Sequence, residues 1–221
     1  MKKNKRLIGK IVILGAIILG LLAVGAVLTV YFFTSIKDTY ATVDIAKYGE
    51  WEGHVENEGL GRNCGLNIFP ESLEKTQYEN YYYFYQSTNL SLDKTIIYLE
   101  VTYDTVGFQE EIVRLSEIKC DYNLNGEKVT KQIVYDEELF EYPAYIATYC
   151  SDLSYEYALI KQEESKIVYI YANQINFKDI LPESYIPVEK QKESLYEGNS
   201  MDNINIYFLK DSAGNWISNN D

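Results

Sequence analysis

Few residues in this chain could carry out acid–base, nucleophilic or metal chemistry, and their spacing decides what each could do. The single histidine, His54, sits in Trp51-Glu52-Gly53-His54-Val55-Glu56 among glycines and acids. A general base needs a nucleophile, and a zinc ion needs three or four ligands. No G-x-S-x-G nucleophile turn accompanies His54, and the three cysteines, Cys64, Cys120 and Cys150, are scattered without a C-x-x-C pair. A surface or packing role is therefore expected for His54. Cys120 and Cys150 fall at ends of expected elements, where an oxidising compartment would let them pair. The same residues also read as buried small hydrophobes. Asp121-Tyr122-Asn123-Leu124-Asn125-Gly126 begins like a calcium loop, but the twelfth position is Gln132 where a bidentate glutamate is needed. Asn125-Gly126 instead predicts a two-residue hairpin. Glu110/Glu111, Glu137/Glu138 and Glu163/Glu164 are adjacent acid pairs. In a chain with 33 Asp+Glu, such pairs read first as solvated faces and second as a carboxylate pair for hydrolysis. No catalytic residue, metal ligand or cofactor is assigned on these grounds.

Any such chemistry must be positioned by the rest of the 221 residues, and the charges show how the chain is divided. Lys2, Lys3, Lys5, Arg6 and Lys10 precede the first acid, Asp38. The segment after residue 33 carries the other 15 Lys+Arg against 33 Asp+Glu, a formal charge of −18. That acidity opposes nucleic-acid binding. Between the two lies Ile11–Phe33, IVILGAIILGLLAVGAVLTVYFF, with no charge. As a helix it would span roughly 34 Å, enough to cross a bilayer core. The run is too long for a signal-peptide core and ends in Tyr31-Phe32-Phe33, not in a small-residue cleavage site. An uncleaved anchor is expected, with the basic end in the cytoplasm. The divisions are then 1–10, a cytoplasmic basic tail; 11–33, the anchor; 34–65, a juxtamembrane stalk or loop; 66–210, an extracytoplasmic domain; and 211–221, a loose tail. The expected partners are the lipid bilayer and a cell-envelope component or protein.

The outer domain reads as α+β, with one antiparallel sheet and an amphipathic helix on one face. Phe108, Ile112 and Leu115 recur at i, i+4 and i+7 and predict a helix over 106–118. Strands are predicted at 81–87, 95–104, 118–123, 128–135, 142–150, 155–161, 166–172 and 203–210. Pro70-Glu71-Ser72-Leu73 would open a short helical turn. Alternation places Ile97, Leu99 and Val101 on one face. On the opposite face it predicts Tyr81, Tyr83, Tyr85, Tyr98, Tyr155, Tyr157, Tyr169 and Tyr171. That tyrosine surface is a candidate ligand-binding platform, unless a loop from 40–66 covers it.

Three stretches, EYPAYIATYCSDLSYEYALIKQEESKIVYIYANQI (141–175), NIFPESL (67–73) and RLSEIK (114–119), resemble a family of membrane-anchored proteins of Gram-positive clostridial bacteria. The resemblance covers most of 66–175. It implies a bacterial envelope location and carries no catalytic residue. The functional expectation is a non-enzymatic binding, sensory or accessory module on a single anchor; the alternative is a cell-surface hydrolase with a carboxylate pair.

Overall fold

The computed structural model describes residues 2–53, 66–73, 76–88, 93–124, 127–150, 154–175, 180–188, 206–210 and 216–218. The chain divides into two compact units: Met1–Thr39 with Gln86–Leu92, and Tyr40–Tyr85 with Asp93–Asp221.

In the first unit, helix α1 (Lys2–Thr34) contains the whole apolar run. Ser35 ends it, its amide donating to the Tyr31 carbonyl at 2.9 Å and its hydroxyl to the Phe32 carbonyl at 3.0 Å. Strand β1 (Ile36–Thr42) follows at once, in the segment expected to be a stalk. From Ile17 to Phe32 the side chains are exposed, with Leu19 71% and Leu21 68% accessible. The side chains before Gly15 lie outside the described residues, and among the described residues alone no helix is long and apolar enough to cross a membrane.

The second unit is α+β. Its strands are β2 (Gln77–Thr88), β3 (Lys94–Thr102), β4 (Lys119–Leu124), β5 (Glu127–Gln132), β6 (Val134–Asp136), β7 (Ala144–Cys150), β8 (Ser154–Lys161), β9 (Lys166–Asn173), β10 (Ile206–Lys210) and β11 (Trp216–Ser218). Within this unit the main sheet runs β2-β3-β9-β8-β7-β10-β11, with β6 also on β7. Strands β4 and β5 form a separate hairpin in which Leu124 pairs with Glu127, as a two-residue Asn125-Gly126 connection requires. The tail expected to be loose supplies β11, which pairs antiparallel with β10. Residues 70–73 hold one bend, at Glu71, and no helical turn.

Helix α2 (Thr105–Glu117) is capped by Asp104, whose carboxylate accepts from the Gly107 amide at 2.7 Å. Its apolar stripe buries Phe108 and Leu115, each worth about 1.5–3 kcal/mol of transfer free energy. The stripe packs against Ile97, Leu99 and Val101.

The expected single tyrosine face is corrected by the strand pairing. Directly opposed residues of an antiparallel pair point to the same side. Tyr157 opposes Ile170 and Tyr155 opposes Ala172 on β8 and β9, while Leu99 opposes Tyr169 and Ile97 opposes Tyr171 on β3 and β9. The tyrosines therefore divide. Tyr81, Tyr83, Tyr85, Tyr169 and Tyr171 share the helix-covered face with the aliphatic set. Tyr98, Tyr155 and Tyr157 lie on the far face with Ile96, Val168 and Ile170. Both faces are covered. Trp51, Ile68 and Phe69 join α2 over the first, and Phe140, Leu181, Tyr185 and Ile186 close the second.

Candidate functional site

The most connected polar cluster lies under α2. Three segments far apart in the chain meet there. Arg114 donates from Nε to Glu111 Oε2 at 2.8 Å and from Nη2 to Glu111 Oε1 at 2.5 Å. The same guanidinium reaches the Asn67 carbonyl at 3.4 Å and the Ile68 carbonyl at 2.5 Å. On the other side of this segment, the Ile68 amide donates to Glu156 Oε1 at 3.1 Å, and Glu156 is fully buried on β8. The Asn67-Ile68-Phe69-Pro70 strip is thus held between a cation on α2 and a carboxylate on the sheet.

A chain of hydroxyls continues from it. The Tyr169 hydroxyl donates to Glu111 Oε1 at 2.6 Å and lies 2.6 Å from the Tyr103 hydroxyl. Since Tyr169 gives its proton to Glu111, Tyr103 donates to Tyr169. Burial, with the Glu111 charge nearby, holds the Tyr103 phenol far above its ordinary value. The same two influences, with Tyr103 itself, do so for Tyr169. Both stay protonated at any physiological pH, so they act as hydrogen-bond groups and not as bases. Arg114 is raised, its burial being outweighed by the hydrogen bonds and charge of Glu111. A cleft of about 400 Å³ opens beside this cluster, bordered by Pro70, Thr76, Tyr103, Gly107, Glu110 and Arg114.

The far face holds a second buried carboxylate. Glu100 on β3 accepts hydrogen bonds from the Tyr185 hydroxyl and the Asn80 amide. Burial alone would raise its pKa. Hydrogen bonds from Tyr185, Asn80 and Tyr98 together outweigh that and keep it below the ordinary value of 4.5. Tyr157, fully buried, donates to the Tyr185 carbonyl at 2.8 Å. Close by, the Lys161 ammonium lies 5.3 Å from the Tyr142 ring centre and 5.7 Å from that of Tyr185, and it pairs with Glu164 at 2.8 Å.

Of the eight tyrosines expected to form a platform, all but Tyr98 are buried, and Tyr98 is half-buried. Tyr81 and Tyr83 are covered by Tyr48 and Trp51, whose rings approach to between 4.4 and 6.5 Å of one another and of those two. Two residues of the expected covering segment thus pack on Tyr81 and Tyr83; its residues 54–65 lie outside the described residues. Cys120 is a buried free thiol beside Ile118 and Ile133 in the helix-side core. Cys64, His54 and the Cys150 side chain lie outside the described residues. Among the described residues no three His, Cys, Asp or Glu side chains gather as metal ligands.

Residue-by-residue reading puts Glu100 and Glu156 beside the tyrosine surface as acidic neighbours, not in buried networks, and gives Arg114 no role beyond the polar side of a helix. A signal for Glu100 and Glu156 existed. Each is the one acid within a strand whose other residues are mostly apolar or aromatic, and a charge buried on both sides of a sheet must be hydrogen-bonded. Comparison with family models, with curated proteins and with solved structures returned no match.

Proposed function

We propose that this chain is a single-pass membrane protein whose α+β domain stands outside the cytoplasmic membrane as a non-enzymatic binding, sensory or accessory module. One observation carries the reading. The uncharged run Ile11–Phe33 falls wholly within helix α1, and from Ile17 to Phe32 its described side chains are exposed. Isoleucine, leucine and valine facing outward around a whole helix are suited to lipid. The five basic residues just before the run, against Lys37 and Lys47 soon after it, favour a cytoplasmic N-terminus. Membership of the clostridial envelope family that the three stretches resemble belongs to the same proposal.

The buried carboxylates favour a non-enzymatic role over a hydrolase. Glycoside cleavage needs one carboxyl group kept protonated by a raised pKa. Glu100 is shifted the other way, and both oxygens of Glu111 are engaged by Arg114. The test is topology. Protease added to intact protoplasts is expected to digest the domain and leave a small membrane-embedded N-terminal fragment. A domain that survives until the membrane is broken would overturn the orientation. A chain released from membranes by alkaline carbonate would overturn the anchor.

A further inference from the structure

A second cleft of about 400 Å³ lies at the end of the sheet where β6 meets β7 and β8 turns into β9. One wall is the phenol ring of Tyr135, 48% exposed and braced by the Tyr145 ring at 4.9 Å. Tyr142 and Pro143 form the next wall, and Lys161, Gln162 and Glu163 line the polar side. The volume falls at the small end of the roughly 300–1,000 Å³ usual for small-molecule sites. It suits one or two ring-sized units.

The Tyr135 and Lys161 donors here are already engaged. The Tyr135 hydroxyl donates to Glu137 at 3.1 Å. The Lys161 ammonium donates to Glu164 and otherwise faces the Tyr142 and Tyr185 rings. What remains toward the cleft is acceptor capacity on the Tyr135 oxygen and the exposed Glu163 carboxylate, with the Gln162 amide able both to accept and to donate. A fitting ligand must bring donors. Its charge is constrained as well. An anion would meet Glu163 and Glu164, and a cation would meet Lys161, which already occupies the aromatic faces. A neutral ring with several hydroxyls and an apolar C–H face satisfies every constraint.

We propose that this cleft binds a neutral sugar, stacking one pyranose face on Tyr135 and placing ring hydroxyls on Glu163 and Gln162. The assignment of such sugars to the cell envelope rests on the extracytoplasmic reading above; the binding itself does not. The experiment is calorimetric titration of the full chain in lipid nanodiscs with chitotetraose and maltotetraose. At least one is expected to bind. Tyr135→Ala should weaken it at least tenfold and Glu163→Gln severalfold, while Tyr78→Ala, at a tyrosine 47% exposed elsewhere, should leave it unchanged. Glu163 is on an exposed turn, so its variant keeps the test valid if Tyr135→Ala unfolds. No heat with either sugar, binding indifferent to both cleft variants, or binding of a tetralysine peptide in their place would overturn the proposal. These outcomes are independent of the protoplast result, so each reading can fail alone.

Discussion

The two faces of the sheet bury the same chemical motif in different ways. On the helix face, Glu111 accepts a tyrosine hydroxyl and is matched by the full charge of Arg114. On the far face, Glu100 accepts a tyrosine hydroxyl and an amide, and among the described residues no cation lies within ion-pair distance of it. One carboxylate is ion-paired, and the other is held mainly by neutral donors, with the more distant Lys166 charge as the smaller influence. The difference shows two solutions to one problem, the cost of removing a carboxylate from water. The first ties together separate pieces of chain through the arginine. The second depends on each neutral donor individually.

The sharpest test of this contrast removes the cation. Arg114→Met leaves Glu111 buried without its counter-charge and strands the Asn67 and Ile68 carbonyls. Breaking such a pair costs about 3–5 kcal/mol, and the partial exposure of Arg114, 38%, points to the lower end. Urea denaturation should show the loss, and the double variant with Glu111→Leu should recover part of it. If Arg114→Met costs no more than an ordinary surface change, the clamp does not hold the 67–70 strip.

The neutral donors come next. Tyr185→Phe should cost about 2 kcal/mol, because it deletes a hydrogen bond to a charged group that has no ion-pair partner among the described residues. Tyr103→Phe should cost about 1 kcal/mol, since it removes one bond between neutral hydroxyls and leaves Glu111 with both Tyr169 and Arg114. The order of the two urea midpoints is the readout. A larger loss at Tyr103 would reverse the comparison.

Acid gives the smallest effect. The Glu100 carboxyl is held below 4.5 in the folded chain. Protons therefore bind the unfolded chain first as pH falls. Its stabilisation is complete above the unfolded value and is lost as pH drops through the folded one. Glu100→Gln should flatten the decline in stability between about pH 5 and pH 3 relative to the wild type. Parallel curves for the two proteins would show that Glu100 does not contribute to that slope.

Much of this arrangement was legible in local pattern, and the part that was not has a physical cause. The spacing of Phe108, Ile112 and Leu115 located α2 to within one residue at each end, and Asn125-Gly126 located the β4–β5 hairpin. Alternation inside each strand also held, since Tyr81, Tyr83 and Tyr85 do share a face. Alternation says nothing, however, about phase between strands. Pairing of Lys161 with Lys166 across a four-residue turn sets every odd position of β8 against an even position of β9. That sends Tyr155 and Tyr157 away from Tyr169 and Tyr171. The turn length was visible, and combining it with the alternation would have separated the two tyrosine groups. The Arg114 clamp was hidden for another reason. Its partners are main-chain groups of a segment without regular structure, and no side-chain pattern announces them.

The buried phenols give the molecule a defined limit in alkali. Burial, as the largest influence, lifts Tyr48, Tyr81, Tyr83, Tyr103, Tyr157, Tyr169 and Tyr185 well above their ordinary value of 10. Their contribution is intact below that value and declines as pH rises beyond it, because only the unfolded chain can release these protons readily. Above that point each hydroxide consumed favours the open chain, and the phenols of both cores ionise together as the fold gives way. The ultraviolet phenolate band would then report the collapse of both cores in a single step.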